Sequence, residues 1–234
     1  MKLESIPVPP VYGAVAETFR ARHSTRRFLP TPVSRETIAE LLELASRSPS
    51  GTNAQPWKVY ALAGEAREAL SAALLERFNQ DAAETREYAY YPDTWEEPWL
   101  TRRRKMGFAL YELVGIPKGD QPRMKEQSGR NLLFFDAPVG LIFTLDRHLA
   151  QGMFLDYGIF IGHLLIAAQA RGLASCMQTA FADYPETIHR HLGISAREII
   201  VGGLALGHPD PNAPENRIVS EREPVESFAT FKGF

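Results

Sequence analysis

Arg22-His23-Ser24-Thr25-Arg26 places two guanidinium groups and a serine hydroxyl within five residues. A guanidinium binds phosphate through paired hydrogen bonds and keeps its charge at any working pH, so this segment can hold a phosphate, with Ser24 donating to a phosphate oxygen or a nearby hydroxyl. The same residues also read as the solvated basic end of a helix, where arginine meets the helix dipole favourably. A second segment, Ser48-Pro49-Ser50-Gly51-Thr52-Asn53-Ala54-Gln55-Pro56, joins two prolines and a glycine to small polar residues and reads as a loop. Its backbone N–H groups and the amides of Asn53 and Gln55 can meet the polar edge of a planar heterocycle. Its plainer reading is a helix-to-strand turn.

Other reactive residue types are less well placed. Cys176 stands in a short apolar stretch and reads as a small buried hydrophobe rather than a nucleophile. His148, His163, His189, His191 and His208 lack metal-ligand spacing, and His189 and His191, two apart, point away from each other on a helix; no metal centre is expected. Residues 88–111 interleave Tyr88, Tyr90, Tyr91, Trp95, Trp99, Phe108 and Tyr111 with Arg102-Arg103-Arg104-Lys105. The rings read as satellite core or as an apolar cover for a flat ligand. The basic run reads as a solvated face or as a dock for the 2′-phosphate of a nicotinamide cofactor.

The elements that position these segments follow from periodicity. Helices are expected over 12–22, over 34–47 with Ser34 as N-cap and Ile38, Leu41, Leu42 and Ala45 on one face, and over 64–79, 152–171 and 185–192, with Gly172 closing the fourth. Strands are expected over 57–62, 139–145, 174–178 and 199–206, one or two helices within 81–130, and an extended proline-rich tail after Gly207. A chain of 234 residues can bury its own core within one domain. A net charge of −2 favours neither nucleic acid nor an anionic membrane. The N-terminus lacks an apolar signal core, and the longest apolar run, 153–170, is broken by Asp156, His163 and Gln169. With one cysteine there is no disulfide framework. A cytoplasmic protein is expected.

Taken together, Arg22-His23-Ser24-x-Arg26-x-Phe28, the loop from Ser48 to Trp57, and Arg222-Glu223-Pro224-Val225 resemble the nitroreductase family of FMN enzymes. Leu155-Asp156-Tyr157-Gly158 and the run from Gly202 to Pro209 add to the resemblance, which covers residues 15–229. It implies an α+β fold: a mainly antiparallel central sheet between helices, in an intertwined homodimer. The whole of 1–234 would be one FMN-binding domain, with 81–130 as a helical cover and 208–234 as an extended tail that adds a strand to the partner's sheet. The implied activity is an oxidoreductase fed by NADPH or NADH. It would reduce nitroaromatics, quinones or similar electron-poor small molecules by ping-pong hydride transfer through flavin N5, with no side chain as nucleophile or base. Carried over residue by residue, Arg22 and Ser24 would hold the FMN phosphate and ribityl chain, with His23 between them, and Arg26 would reach the N1/O2 edge. Pro49, Ser50, Gly51 and Asn53 would come from the other subunit. Met177, Gln178 and Thr179 would lie beside the ring, and Arg222 would complete the phosphate clamp. Trp95, Trp99, Phe108 and Tyr111 would shape the substrate pocket. Ser220 departs from members that carry a basic residue there, which leaves more of the phosphate charge to Arg22 and Arg222. Alternatives are reductive dehalogenation, enone reduction or supply of reduced flavin and, in another class, a flavin-binding storage protein without turnover.

Overall fold

The computed structural model describes residues 8–82, 84–149 and 151–234. In chain order the elements are α1 (Val11–Ala21), α2 (Arg35–Ala45), β1 (Lys58–Ala63), α3 (Gly64–Asn79), α4 (Trp99–Leu113), α5 (Gln121–Gly129), β2 (Val139–Asp146), α6 (Met153–Ala170), β3 (Ala174–Gln178), α7 (Pro185–Leu192) and β4 (Glu198–Gly207). Ser34 caps α2 by accepting the Thr37 N–H at 3.1 Å, as a serine at that position should. Short 3₁₀ turns cover Arg130–Asp136, Thr179–Asp183 and Pro214–Arg217.

The four strands form one sheet in the order β1-β2-β4-β3, every pair antiparallel. β2 and β4 are therefore central and covered on both faces, which is why they read as continuous apolar runs rather than alternating ones. Successive side chains still point to opposite faces. Ile142, Ile200 and Ala205 pack with Leu70 and Leu74 of α3 and Ile188 of α7. Leu141, Phe143, Leu145, Leu204 and Leu206 pack with Ile38 and Leu41 of α2 and Tyr157, Phe160 and Leu164 of α6. The result is a helix–sheet–helix sandwich with a core on each side. By length and composition α6 could cross a membrane; here its Tyr157, Phe160, Ile161, Leu164 and Ala168 are buried in the second core.

Two glycines set the thickness of the first core. Phe134 and Phe181 stack at 4.4 Å between ring centroids. A Cβ on Gly140 would stand 2.6 Å from the Phe134 ring, and one on Gly203 would stand 2.5 Å from the Phe181 ring. Only hydrogen at both positions lets the rings lie flat on the sheet. Beside them β4 bulges: Phe143 pairs with Gly202 but Thr144 pairs with Ile200, leaving Val201 unmatched. Such a bulge bends the strand and frees a backbone group.

The sheet and the helices outside 81–130 form within about two residues of the bounds expected from sequence. The 81–130 stretch resolves into α4 and α5, and the tail carries 3₁₀ turns at Pro214–Arg217 and Val225–Ser227 rather than a continuous strand.

Candidate functional site

β3 is an edge strand, and its free edge is taken by the N-terminal basic segment. Ser24 bridges Ser175 in parallel sense, and the Thr25 N–H donates to the Ser175 carbonyl at 3.1 Å. Further on, the Leu29 N–H donates to the His208 carbonyl at 2.9 Å. The tail grips the same segment from behind. Asn216 Oδ1 accepts the Arg26 N–H at 2.7 Å and the Arg27 N–H at 3.2 Å, while its Nδ2 donates to the Arg27 carbonyl at 2.8 Å. Arg130 donates to the Arg26 carbonyl at 3.3 Å and pairs with Glu215 at 3.0 Å and Asp136 at 3.1 Å. Arg27 also pairs with Asp136 and Glu215. Sequence reasoning missed Asn216, Glu215 and Arg130. Nothing in a lone amide within a proline-rich tail marks it as a backbone clamp.

This grip leaves Arg22 and His23 facing a cavity of about 610 Å³ whose far wall is Val219, Ser220 and Arg222. The lining carries Arg20, Arg22, Arg217 and Arg222 and, among the described residues, no carboxylate. Arg222 Nη1 donates to Ser220 Oγ at 2.6 Å and to the carbonyls of Ser220 and Glu221 at 3.0 and 2.9 Å. A concave lining with four guanidinium groups is an anion site. Cys176, one residue along β3 from Ser175, is buried; burial pushes its thiol up, against the opposing pull of Arg26, the Ser24 hydrogen bond and Arg22. It is no thiolate nucleophile.

Met177, Gln178 and Thr179 end β3 and open onto the other side. Met177 and Thr179 line a cavity of about 790 Å³ with Tyr88, Tyr90, Arg147, Phe154 and Ile161. Gln178 Nε2 donates to the Asn131 carbonyl at 2.6 Å, but its Oε1 is buried without a partner, as is Thr25 Oγ1 at the other end of β3. Buried polar atoms left unpaired by protein are costly, and a water ordinarily completes their bonding. The Tyr88 hydroxyl donates to the freed carbonyl of Val201 at 2.5 Å, and its ring centroid lies 5.0 Å from that of Phe154. Burial pushes this hydroxyl up to about 12, so it stays a neutral donor.

The segment carrying Tyr88 is tied by its carboxylates: Glu84 accepts the Thr187 N–H at 3.1 Å, and Glu87 accepts the Ile200 N–H at 2.6 Å and pairs with Arg147. The four rings named from sequence lie elsewhere. Trp99 and Phe108 are exposed on α4, Tyr111 is half-buried there, and Trp95 lies under the Arg103 guanidinium at 5.2 Å. None of the four lines the cavity at Met177 within one chain; Tyr88 and Tyr90 do. The sequence had named all these rings together, but alternation of burial in an irregular segment leaves no periodic signal. Of the basic run, Arg102 pairs with Glu223 at 3.0 Å and Lys105 with Glu221 at 2.6 Å.

The loop holding Pro49, Ser50, Gly51 and Asn53 is anchored to α6. Ser48 Oγ lies 2.7 Å from His163 Nδ1, the Gly51 N–H donates to Asp156 at 3.1 Å, and the Gln55 N–H donates to Ser50 Oγ at 3.0 Å. Thr52, Asn53 and Gln55 adopt left-handed backbone, which turns the chain sharply and leaves it exposed. Among the described residues no hydrogen bond joins this loop to residues 22–26 of the same chain.

Comparison with known proteins matches this arrangement. The nitroreductase family model fits residues 19–208. A 4-nitrobenzoate reductase from Pseudomonas putida is 40% identical over 92% of this chain and 93% of its own length. A nitrobenzene nitroreductase from Ectopseudomonas oleovorans is 35% identical over 95% and 98%. Among solved structures, the FMN and NADPH-dependent nitroreductase NfnB from Sphigopyxis sp. strain HMH superposes with a TM-score of 0.90 at 33% identity, covering 94% of this chain and 99% of that one. From its gripped basic strand to its fold, the chain belongs to the nitroreductase family.

Proposed function

We propose that the protein is an FMN-dependent reductase of nitroaromatic compounds that draws on NADPH, acts in the cytoplasm, and works as a homodimer. The observation that carries the reading is the convergence of Arg22 and His23 with Ser220 and Arg222, from opposite ends of the chain, on one cationic cavity. The residues present fit the cofactor. A phosphate finds four arginines there, and Gln178, whose Oε1 has no protein partner, lines a second cavity with Met177 and Thr179.

Arg22 and Arg222 would hold the phosphate, Ser24 would meet the phosphate or the ribityl chain, and Arg26 would serve the N1/O2 edge. Met177, Gln178 and Thr179 flank the ring. When bound, FMN supplies hydride transfer at N5, so no side chain is needed as nucleophile or base. Donor and acceptor would use the cavity beside Met177 in turn, so initial-rate kinetics are expected to be ping-pong. The apolar walls of Tyr88, Phe154 and Ile161 suit a flat nitroarene. Support for the acceptor class comes from the relatives that reduce 4-nitrobenzoate and nitrobenzene, and for the donor from the FMN and NADPH-dependent structure.

The dimer rests on uncovered apolar surface. Val11, Tyr12, Val15 and Phe19 of α1, Leu155 of α6, and Phe228, Phe231 and Phe234 of the tail are all exposed. Large apolar side chains left exposed on α1, α6 and the tail support an interface between two copies. In the dimer, Pro49, Ser50, Gly51 and Asn53 of each subunit reach the flavin of the other.

The test is optical. Purified protein should be yellow, bleach anaerobically with NADPH, and recover its colour when 4-nitrobenzoate or nitrobenzene is added. A colourless protein that takes up no FMN overturns the reading, and a yellow one that NADPH leaves unchanged points to flavin binding without turnover. Sedimentation should give a dimer that keeps its flavin on dilution; a monomer with full occupancy removes the interface assignment.

A further inference from the structure

Glu221-Arg222-Glu223 is a poor anion-binding sequence on its own. Two carboxylates flank the guanidinium, the triplet carries net negative charge, and either glutamate could pair with Arg222 and withdraw it from a phosphate. In the structure neither does. Both carboxylates turn to α4, where Arg102 and Lys105 stand three residues apart on one face of the helix. Arg102 Nε donates to Glu223 Oε1 at 3.1 Å with Nη2 3.0 Å from the same oxygen, and Lys105 Nζ lies 2.6 Å from Glu221 Oε2. Arg222 turns the other way. Among the described residues its guanidinium bonds only neutral groups, the Ser220 hydroxyl and the carbonyls of Ser220 and Glu221, and Arg222 lines the cavity shared with Arg22.

We propose that Arg102 and Lys105 are positioning residues for the cofactor phosphate: by engaging Glu223 and Glu221 they free the charge of Arg222 and aim it into the Arg22 cavity. The inference rests on the assignment of that cavity to the FMN phosphate. It also gives the basic run of α4 a use other than docking a nicotinamide, and it links the cover to the cofactor site through two ion pairs. Both pairs are partly exposed, so each contributes modestly and is screened by salt. What they change is the field at Arg222.

The experiment compares FMN with riboflavin, which lacks the phosphate, by flavin fluorescence on re-addition to the stripped dimer. Arg102→Gln with Lys105→Gln should weaken FMN about three- to tenfold, as expected for two exposed pairs, and leave riboflavin binding unchanged. Adding Glu221→Gln and Glu223→Gln to the same protein should restore FMN affinity, because the competing carboxylates are then gone. A role in merely fastening the tail would not be rescued by neutralising all four groups. Equal losses for FMN and riboflavin, no loss, or a loss without rescue each overturn the proposal. Arg222→Ala serves as the separate control. If it too leaves FMN binding unchanged, the phosphate assignment itself fails. If it alone weakens FMN, the assignment stands and only the role of Arg102 and Lys105 falls.

Discussion

Residues 22–28 and the start of residues 84–113 approach opposite ends of β3, and they are held in opposite ways. The first segment is fastened through its backbone: to Ser175 on one side, to His208 at its end, and to Asn216 and Arg130 behind. The second is fastened by side chains, through Glu84, Glu87 and the Tyr88 hydroxyl, and beyond Tyr88 it becomes a helix with no buried residue. Backbone ties to a sheet leave little freedom, whereas side-chain ties around exposed rings permit local opening at low cost. Under the proposed function, the cofactor side is thus built for fixed geometry and the acceptor side for adjustment. One scaffold can then serve relatives that reduce different nitroarenes.

The largest expected effect tests the rigid side directly. Phe181 is fully buried and lies on Gly203, so Phe181→Ala should cost about 3–5 kcal/mol in urea unfolding. Trp99→Ala, on exposed α4 surface, should stay within about 0.5 kcal/mol of wild type. Equal losses for the two would erase the contrast between sheet and cover.

Next in size is the loss of cofactor grip. Arg22→Ala and Arg222→Ala should each remove a charge-assisted contact worth about 1.5–3 kcal/mol, about one to two decades of FMN affinity, while the unfolding midpoint of the stripped protein moves little. Unchanged flavin titration curves for both would falsify the assigned clamp.

How much of this was legible in the sequence follows the same division. Ser34, Gly172 and the apolar runs of β2 and β4 act locally or by simple periodicity, so helix ends and strands could be read directly. The Arg22 and Arg222 pairing was legible only through resemblance to a family, because nothing in spacing alone brings the two ends of a chain together. Asn216 was illegible: its four side-chain hydrogen bonds reach Arg26, Arg27 and Asp210, and a side chain that clamps distant backbone leaves no pattern. Tyr88 was seen as an aromatic but not as the ring at the cavity, since that depends on the Val201 bulge. The opposed charges of α4 and residues 221–223 were both visible, but not their pairing.

A smaller effect concerns Glu198, a carboxylate buried against the sheet's first strands. Burial alone would push Glu198 up, yet hydrogen bonds from Thr144, Lys58 at 3.0 Å and Tyr60 at 3.1 Å outweigh it and hold the carboxyl below its ordinary 4.5. A depressed folded value means the ionised form stabilises the fold fully above 4.5 and loses that contribution as pH falls through the folded value. Glu198→Gln should therefore lie about 1–3 kcal/mol below wild type at pH 7, and the gap should narrow in acid below 4.5. A gap independent of pH would mean that packing, not charge, sets the role of Glu198.

The smallest expected effect falls on the adjustable side. Tyr88→Phe keeps the ring beside Phe154 but removes the bond to Val201, so the ring is no longer pinned to the bulge of β4. The cavity keeps its apolar wall and loses its fixed position, which should alter how well differently substituted nitroarenes fit rather than whether they react. Relative kcat/KM for 4-nitrobenzoate against nitrobenzene should shift about two- to fivefold, under about 1 kcal/mol of difference, with FMN content unchanged. Phe108→Ala probes whether the exposed rings of α4 take part as the sequence implied. Phe108 lies beyond the cavity within its own chain, beside Lys118 at 6.0 Å. A selectivity shift in that variant therefore requires the ring to act on the partner's cavity or on a closed form of the cover. No shift with Phe108→Ala, together with a clear one for Tyr88→Phe, would confine acceptor choice to residues 84–91 and leave α4 with the tail it holds through Arg102 and Lys105.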